Sequence, residues 1–368
     1  MAVVKSEQDL ADAARDAVGP LAVRGGGTRS MAASGDVLDV SGLSGITLYE
    51  PGALTLVARA GTPVTEIEAA LAAENQRLAF EPTDMTGLLG TTGASTIGGV
   101  VATNASGPRR IQAGAVRDFA LGVRFVDGAG QVIKNGGRVM KNVTGYDLVK
   151  LLTGSHGTLG VLTEVSLKVL PAVEAVTTLV LRGLSADAAV RAMSAALGSP
   201  YEVSGAAWRD GDVWLRLEGF EASVAYRADA LRHVLVGFGE ADAVADADWA
   251  TVRDVVPLHG AEAVWRVSVK PSDGPAVIAG LPDGARSLMD WGGGLIWVGH
   301  DASEALHHGL QAQAAALGGH ATLIKGPEAL RSAVPVFQPE AAPVAALTAQ
   351  LRARFDPRGI LNPGLMAA

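Results

Sequence analysis

The chain has 368 residues, of which 48% are hydrophobic and 18% charged, and its formal net charge is −8. Nucleic-acid binding needs a basic face that neutralises phosphates, and no run of lysine and arginine occurs, so this class of function is excluded. The absence of cysteine excludes disulfides, thiolate metal sites and iron–sulfur ligation by this chain.

The length of the chain predicts two domains, because a single core stops growing at about 250–300 residues. No apolar signal segment follows Met1, and no apolar run reaches the roughly 18 residues that a membrane helix needs. We therefore expect a cytoplasmic protein.

The first half of the chain predicts alternating short helices and strands. Ser6–Val18 is predicted as a helix, with Ser6 as its N-cap and an acidic residue three positions later. Leu21–Arg24 is a predicted strand. Leu121–Val126 and Gln131–Lys134 predict a β-hairpin. Val161–Leu170 alternates apolar residues on one face and predicts a half-buried strand.

Several glycine-rich turns interrupt these elements, at Arg24–Ser30, Thr91–Gly99, Asn135–Gly137 and Gly154–Gly160. Glycine lets a backbone approach a flat ligand closely, and bare N–H groups in turns can hold a diphosphate. Any one of these turns alone would be an ordinary loop. The chain has neither a Walker A motif nor a Rossmann fingerprint. Several such turns together favour a backbone-lined groove for a large dinucleotide.

After Pro171 the glycine turns become rare, and strand-like segments alternate with helix-like ones. This pattern predicts a second α+β domain, in which helices cover one face of an antiparallel sheet. The predicted segments are Thr177–Leu181, Ala186–Leu197, Val203–Trp208, Val213–Leu217, Ala222–Val234, Ala263–Val269, Leu295–Val298 and Ala302–Leu317. A further helix, Pro339–Phe355, leads into a turn-rich tail.

The glycine turns also carry a resemblance to a known family. The chain resembles the flavin-binding half of the vanillyl-alcohol-oxidase/p-cresol-methylhydroxylase (PCMH) family over roughly residues 1–172 and 335–368. The segments that resemble it are Arg24–Thr28, Gly93–Gly99, Ala102–Gly107, Lys141–Leu148, Gly154–Gly160, Thr163–Val165 and the tail Phe355–Gly364.

The resemblance implies an α+β fold with a two-lobed PCMH-type FAD-binding domain and a smaller α+β cap domain that contains an antiparallel sheet. The implied boundaries are residues 1–172 for the FAD-binding domain, 173–334 for the cap, and 335–368 for a tail that returns to the FAD-binding domain.

The resemblance also implies which residues bind FAD. The first diphosphate loop would comprise Arg24, Gly25, Gly26, Gly27, Thr28, Arg29 and Ser30. The second loop would comprise Thr92, Gly93, Ala94, Ser95, Thr96, Gly98 and Gly99. Asn104 and Ser106 would approach the flavin ring, and Asn362 would return toward it. The adenine side would be enclosed by Gly154, Gly157, Thr158, Gly160 and Val165. Relatives with covalent flavin carry histidine or cysteine in the first loop or a later cysteine, so we expect non-covalent FAD.

The family chemistry is hydride transfer from a substrate carbon to flavin N5. Within the family the chain is most similar to FAD-binding subunits of enzymes that oxidise glycolate. This similarity implies a small 2-hydroxy acid substrate, with a larger FAD-linked oxidase subunit and an iron–sulfur subunit as partners. Contact with the inner membrane would be made through those partners. Two alternatives are a non-catalytic FAD-bearing assembly or electron-transfer subunit and a stand-alone flavin oxidoreductase of other specificity.

Two residues are candidates for catalysis, Arg266 and His300. Arg266 interrupts an apolar strand and could bind a carboxylate, although alternation also allows it to face solvent or a partner. His300 ends a predicted strand and could act as a base. The glycine- and histidine-containing metal motif of related 2-hydroxy-acid oxidases is absent, so we predict no metal site, and oxidation by this chain alone is in doubt.

Overall fold

The computed structural model describes residues 3–29, 34–138 and 145–366. The chain divides into two compact units. Unit 1 comprises Met1–Ser106, Gly114–Ala172 and Pro339–Ala368, and unit 2 comprises Gly107–Ala113 and Val173–Gln338. Residues 107–113 were predicted in the first domain and the tail was predicted to begin at residue 335, so both boundaries differ from this division.

Unit 1 is built on a five-stranded antiparallel sheet. In spatial order its strands are β3 (Ile46–Glu50), β4 (Thr55–Arg59), β8 (Val161–Lys168), β6 (Ala120–Val126) and β7 (Val132–Gly136). Two small sheets accompany it: the parallel pair β1 (Leu21–Arg24) and β2 (Asp36–Asp39), and the antiparallel pair β5 (Gln76–Arg77) and β9 (Leu170–Pro171). The helices are α1 (Glu7–Asp16), α2 (Val64–Ala72), α3 (Thr86–Leu89), α4 (Ile97–Thr103), α6 (Val116–Phe119), α7 (Leu148–Leu152) and α14 (Ala342–Phe355).

The predicted N-terminus of α1 is confirmed by a capping box. The Ser6 hydroxyl accepts a hydrogen bond from the Asp9 N–H at 3.1 Å, and the Asp9 carboxylate accepts one from the Ser6 N–H at 3.0 Å. The predicted β-hairpin is confirmed as β6 and β7.

The half-burial predicted for the strand that begins at Val161 is wrong. Strand β8 lies between β4 and β6, and six of its eight residues are buried on both faces of the sheet. The sequence of β8 alternates because small polar residues such as Ser166 lie between its apolar ones, but these polar residues are buried as well. A central strand can therefore alternate in sequence although both of its faces are covered.

Unit 2 contains an eight-stranded antiparallel sheet, which confirms the predicted α+β class. In spatial order its strands are β13 (Ala241–Val244), β10 (Ala175–Leu181), β12 (Asp212–Gly219), β11 (Gly205–Arg209), β15 (Arg286–Asp290), β16 (Leu295–His300), β14 (Ala263–Ser268) and β17 (His320–Lys325). The helices are α5 (Arg110–Ala113), α8 (Ala186–Leu197), α9 (Glu221–Leu235), α10 (Ala250–Arg253), α11 (Gly274–Ala279), α12 (Glu304–Ala316) and α13 (Glu328–Ala333). Each predicted segment of this unit is found within three residues of its predicted bounds.

The two faces of this sheet differ in chemistry. One face carries Trp265 and Val267 of β14, which join the buried core of unit 2 together with α8, α9 and α12. The other face carries Arg266 and Ser268, because successive residues of a strand point to opposite sides. Arg266 therefore lies between β16 and β17, on the face of the sheet that also carries the polar side chain of Ser268.

In the portion of the chain that the structure describes, every helix is too short or too polar to cross a membrane.

Candidate functional site

Unit 1 contains a groove with a volume of about 520 Å³, formed where the glycine-rich turns meet strand β1. Twelve of the residues predicted to bind a cofactor line it. They are Arg24, Gly25, Gly26, Gly27, Thr28, Arg29, Thr96, Gly98, Gly99, Gly157, Gly160 and Asn362. Three of the four predicted glycine turns, those that begin at Arg24, Thr91 and Gly154, therefore converge on one site, whereas the turn at Asn135–Gly137 does not line it.

The first two glycine turns touch through their backbones. A Cβ atom on Gly26 would lie 1.6 Å from the Ala94 carbonyl oxygen, and one on Gly93 would lie 1.7 Å from the Gly26 carbonyl oxygen. Real Cβ atoms do not approach backbone oxygens this closely, so both positions require glycine. The contact fixes the distance between the two loops that form the groove.

The end of the first loop is also tied to the second. The Arg29 guanidinium donates a hydrogen bond to the Thr83 carbonyl and another, 3.1 Å long, to the Ser95 hydroxyl. Helix α4 begins directly after the second loop, where the Thr96 hydroxyl accepts a hydrogen bond from the Gly99 N–H at 3.3 Å.

Asn362 joins three parts of unit 1. Its side-chain oxygen accepts a hydrogen bond from the Val23 N–H at 2.7 Å, and its side-chain amide donates one to the His156 carbonyl at 2.8 Å. The tail backbone pairs with β1 as well, because the Leu21 N–H donates to the Ile360 carbonyl at 2.7 Å and the Asn362 N–H donates to the Leu21 carbonyl at 2.9 Å. Asn362 is buried and positions the strand that leads into the first loop.

The two predicted catalytic residues do not form one site. In the antiparallel pair of β14 and β16, Arg266 lies opposite Trp297 and His300 lies opposite Ala263. His300 is three residues from the Trp297 position, so it is about 10 Å along the strand from Arg266 and on the opposite face of the sheet. A His300 ring nitrogen lies 3.2 Å from the Asp301 carbonyl.

The chain is similar in sequence to known proteins. Residues 1–136 match the FAD binding domain family FAD_binding_4. Over 354 residues the chain is 38% identical to the glycolate oxidase subunit GlcE of Escherichia coli K12, and the match covers 95% of this chain and 93% of that one. The chain belongs to the GlcE family.

Other relatives match shorter stretches of this GlcE-family chain. The glycolate oxidase subunit GlcD of Bacillus subtilis 168 is 41% identical over 100 residues, which cover 27% of this chain and 21% of GlcD. A D-lactate dehydrogenase of Anaerostipes hadrus is 44% identical over 87 residues, or 24% of this chain and 18% of that enzyme. An alkyldihydroxyacetonephosphate synthase shares the fold, with a TM-score of 0.71 at 16% identity over 98% of this chain and 75% of that one.

The groove of this GlcE-family chain fits its cofactor, FAD. Among the described residues, the backbone N–H groups of Gly25, Gly26, Gly27 and Thr28 donate to no protein acceptor. Four free donors in one turn form a concave site for a diphosphate. The hydroxyl of Thr91, also in the groove wall, is buried and without a hydrogen-bond partner in the described part of the chain. Arg24 and Arg29, which were both predicted in the first loop, add positive charge to the groove wall.

Other predicted cofactor residues of the GlcE-family chain lie outside the groove lining. Thr92, Gly93, Ala94 and Ser95 lie in the second loop, where Gly93 and Ala94 contact Gly26 of the first loop and Ser95 accepts a hydrogen bond from Arg29. The side chains of Asn104 and Ser106 accept hydrogen bonds from the N–H groups of Arg117 and Val116, respectively. These bonds hold the loop of Asn104 and Ser106 to α6. Gly154 and Thr158 lie in the turn of residues 154–160, and Val165 is buried within β8. Ser30 lies outside the described residues.

The groove wall also includes residues that the sequence analysis did not select. His156 lines it, and so do Thr103, Val161 and Leu162. Val161 and Leu162 are the first residues of strand β8, and only the folded sheet shows that they face the groove. Within the described ranges no group of three or more histidine, aspartate or glutamate residues could hold a metal ion.

Replacing Asn362 by alanine is expected to destabilise the protein and loosen FAD. The change leaves the Val23 N–H and the His156 carbonyl unpaired, and each buried orphan group costs about 1–3 kcal/mol. Asn362 also has a φ of 44°, a conformation that asparagine tolerates better than alanine. Urea unfolding and the flavin content of the purified protein measure both effects.

Asn135→Ala is the matched control for this prediction, because Asn135 also bridges two backbone groups, the Tyr146 carbonyl at 3.1 Å and the Leu148 N–H at 3.0 Å, away from the groove. We expect Asn135→Ala to retain its flavin. Equal flavin loss in both variants would contradict a specific role for Asn362.

Proposed function

We propose that this chain is the FAD-binding subunit of an enzyme that oxidises a small 2-hydroxy acid, with glycolate as the first substrate to test. The observation that carries the proposal is the groove in unit 1, in which free N–H donors and closely packed glycines meet. Membership of the GlcE family supports the reaction class, and the similarity to a D-lactate dehydrogenase supports 2-hydroxy acids as the substrate class.

The residues of the groove bind and orient the cofactor. The N–H groups of Gly25–Thr28 hold the diphosphate, and the guanidinium groups of Arg24 and Arg29 offset its negative charge. Asn362 keeps β1 in place against the adenine-side turn. Bound FAD supplies the redox chemistry, accepting a hydride from the substrate carbon at N5. Since the chain has no cysteine and its first loop, Arg24–Ser30, contains no histidine, we expect the cofactor to be bound non-covalently.

The relatives are named as subunits, and this supports a complex with a larger subunit. We assign the onward transfer of electrons to an iron–sulfur subunit, because a chain without cysteine supplies no ligands for a cluster. We place the complex in the cytoplasm, with any membrane contact made by the partners.

A second function, as a non-catalytic FAD-bearing assembly subunit, is favoured by one observation. Several large apolar side chains on and around α9 are exposed, with Phe220 at 71% and Tyr226 at 70% of their full area. Exposed apolar side chains on a soluble unit are typical of protein–protein contacts. In this alternative the chain would carry FAD and transmit electrons while the larger subunit oxidises the substrate.

The visible spectrum of the purified chain, recorded before and after anaerobic addition of glycolate, tests the proposal. A flavin spectrum that bleaches would place the substrate site on this chain. The same measurement on the co-purified complex, with and without Gly26→Ala in this chain, then separates the two functions.

In the assembly alternative, glycolate bleaches the complex but never the isolated chain. If neither the isolated chain nor this subunit within the complex contained flavin, both functions would be overturned.

A further inference from the structure

Two arginines of unit 2 contact the same tryptophan. The guanidinium carbon of Arg110 lies 4.5 Å from the centre of the Trp291 ring, and that of Arg266 lies 5.2 Å from it. Arg110 comes from the short helix α5 and Arg266 from the middle of strand β14. An aromatic face orients a guanidinium and leaves its N–H groups directed to the side, where an anion can bind.

Trp291 is held in an unusual conformation. Its φ is 53°, in the left-handed region that residues with side chains rarely adopt. The Asp290 carboxylate accepts a hydrogen bond from the Trp291 N–H at 2.7 Å, and the indole N–H donates to the Gly107 carbonyl at 3.1 Å. Backbone strain of this kind persists where the surroundings fix it, and it concentrates at ligand sites. The indole is therefore a fixed platform.

Among the residues that the structure describes, Arg266 has no counter-ion. It forms no ion pair and no hydrogen bond with them, and its guanidinium contacts the Trp291 ring. Burial, followed by the nearby charge of Arg110, lowers the pKa of Arg266 to about 10, so the group stays protonated at neutral pH. A half-buried cation without a counter-ion among the described residues is costly, and a bound anion would offset that cost.

None of the neighbours of Arg266 on the sheet is acidic, and on β16 it lies opposite the buried Trp297. Thr322 of β17 lies directly opposite it, and Ser268 and His320 form the next pair on the same face. The carboxylate of Asp290 is two strands away and is occupied with the Trp291 N–H. His320 keeps more than a third of its area exposed, yet partial burial and then the charges of Arg266 and Arg110 lower its pKa.

We propose that Arg266 and Arg110, held against Trp291, form a binding site for a small carboxylate, with His320 and Thr322 at its edge. A planar guanidinium matches a carboxylate with two parallel hydrogen bonds. Arg266 supplies the uncompensated charge, and Arg110 adds to the positive potential. The assignment of that carboxylate to a 2-hydroxy acid substrate rests on the proposed function, whereas the site itself does not.

Calorimetric titration of the full-length protein with oxalate tests the site without turnover. Oxalate is expected to bind, and its uncharged isostere oxamide is not. Arg266→Gln and Arg110→Gln should each weaken oxalate binding at least about tenfold, because each removes a charge from the site. Arg266→Lys should give an intermediate affinity, since lysine keeps the positive charge but lacks the planar pair of N–H donors.

Arg209→Gln is the matched control, because Arg209 also stacks on a tryptophan, Trp214, at 4.3 Å, but donates a hydrogen bond to Thr251. Thermal unfolding verifies that each variant is folded. Failure of oxalate to bind, or equal affinity in Arg266→Gln and the wild type, would overturn the site. If oxalate binding depends on Arg266 but glycolate never reduces the flavin, either in the isolated chain or in its complex, the site would be retained and the proposed function refuted.

Discussion

Gly26→Ala is expected to give a folded protein that retains almost no FAD. The new methyl group would lie 1.6 Å from the Ala94 carbonyl oxygen, so the first and second loops must separate. Separation moves the free N–H groups of Gly25–Thr28 away from the second loop, and the diphosphate loses part of its site. We expect FAD affinity to fall by at least about a hundredfold, which is close to 3 kcal/mol.

The measurement is equilibrium titration of apoprotein with FAD, followed by flavin fluorescence. Gly19→Ala serves as the control, because a Cβ atom on Gly19 meets no atom within 4 Å. Circular dichroism shows whether the variant is folded. Retention of wild-type FAD affinity in a folded Gly26→Ala protein would refute the role of the loop contact.

Arg109→Leu is expected to destabilise unit 2 by about 3 kcal/mol, because removing one member of a buried ion pair leaves the other charge uncompensated. Arg109 donates to both oxygens of Glu218, through Nε at 2.8 Å and Nη2 at 2.6 Å, and both side chains are more than 90% buried. The pair fastens residues 107–113 to strand β12. Arg216 lies 3.7 Å from Glu218 and still offers it an opposite charge, which limits the loss of stability.

Urea unfolding followed by tryptophan fluorescence measures this change, since four of the six tryptophans of the chain, Trp208, Trp214, Trp265 and Trp297, lie on strands of the unit 2 sheet. Arg191→Leu removes an exposed pair with Asp187 and should leave the unfolding midpoint unchanged within error. Glu218→Gln completes a double-mutant cycle with Arg109→Leu. Additive losses across that cycle would show that the two side chains do not interact, contrary to the structure.

The sequence predicted unit 1 well because its information is local. Glycine turns mark positions where only a residue without a side chain fits, and Gly26 and Gly93 meet that condition through direct backbone contact. The capping box at Ser6 and the hairpin of β6 and β7 are likewise encoded by neighbouring residues. The return of Asn362 to the groove came from the family resemblance and not from any local pattern.

The candidate site in unit 2 could not be predicted in the same way. Arg110 and Trp291 are far apart in the sequence, and no periodicity connects a short helix to a turn between strands. The separation of Arg266 from His300 depends on the register of β14 against β16, which the alternating pattern of either strand leaves open. Strands β15 and β17 were not predicted, because each is short and has charged or polar residues at both ends.

The pairing of the tail with β1 affects how the protein can acquire its flavin during synthesis. The first glycine loop leaves the ribosome early, whereas Asn362, which holds the strand before it, is translated only after unit 2. Domains fold in order as they emerge, but this groove must wait for residues 360–362. Products of premature termination would therefore be colourless, and the yellow of a preparation would report that translation had passed residue 362.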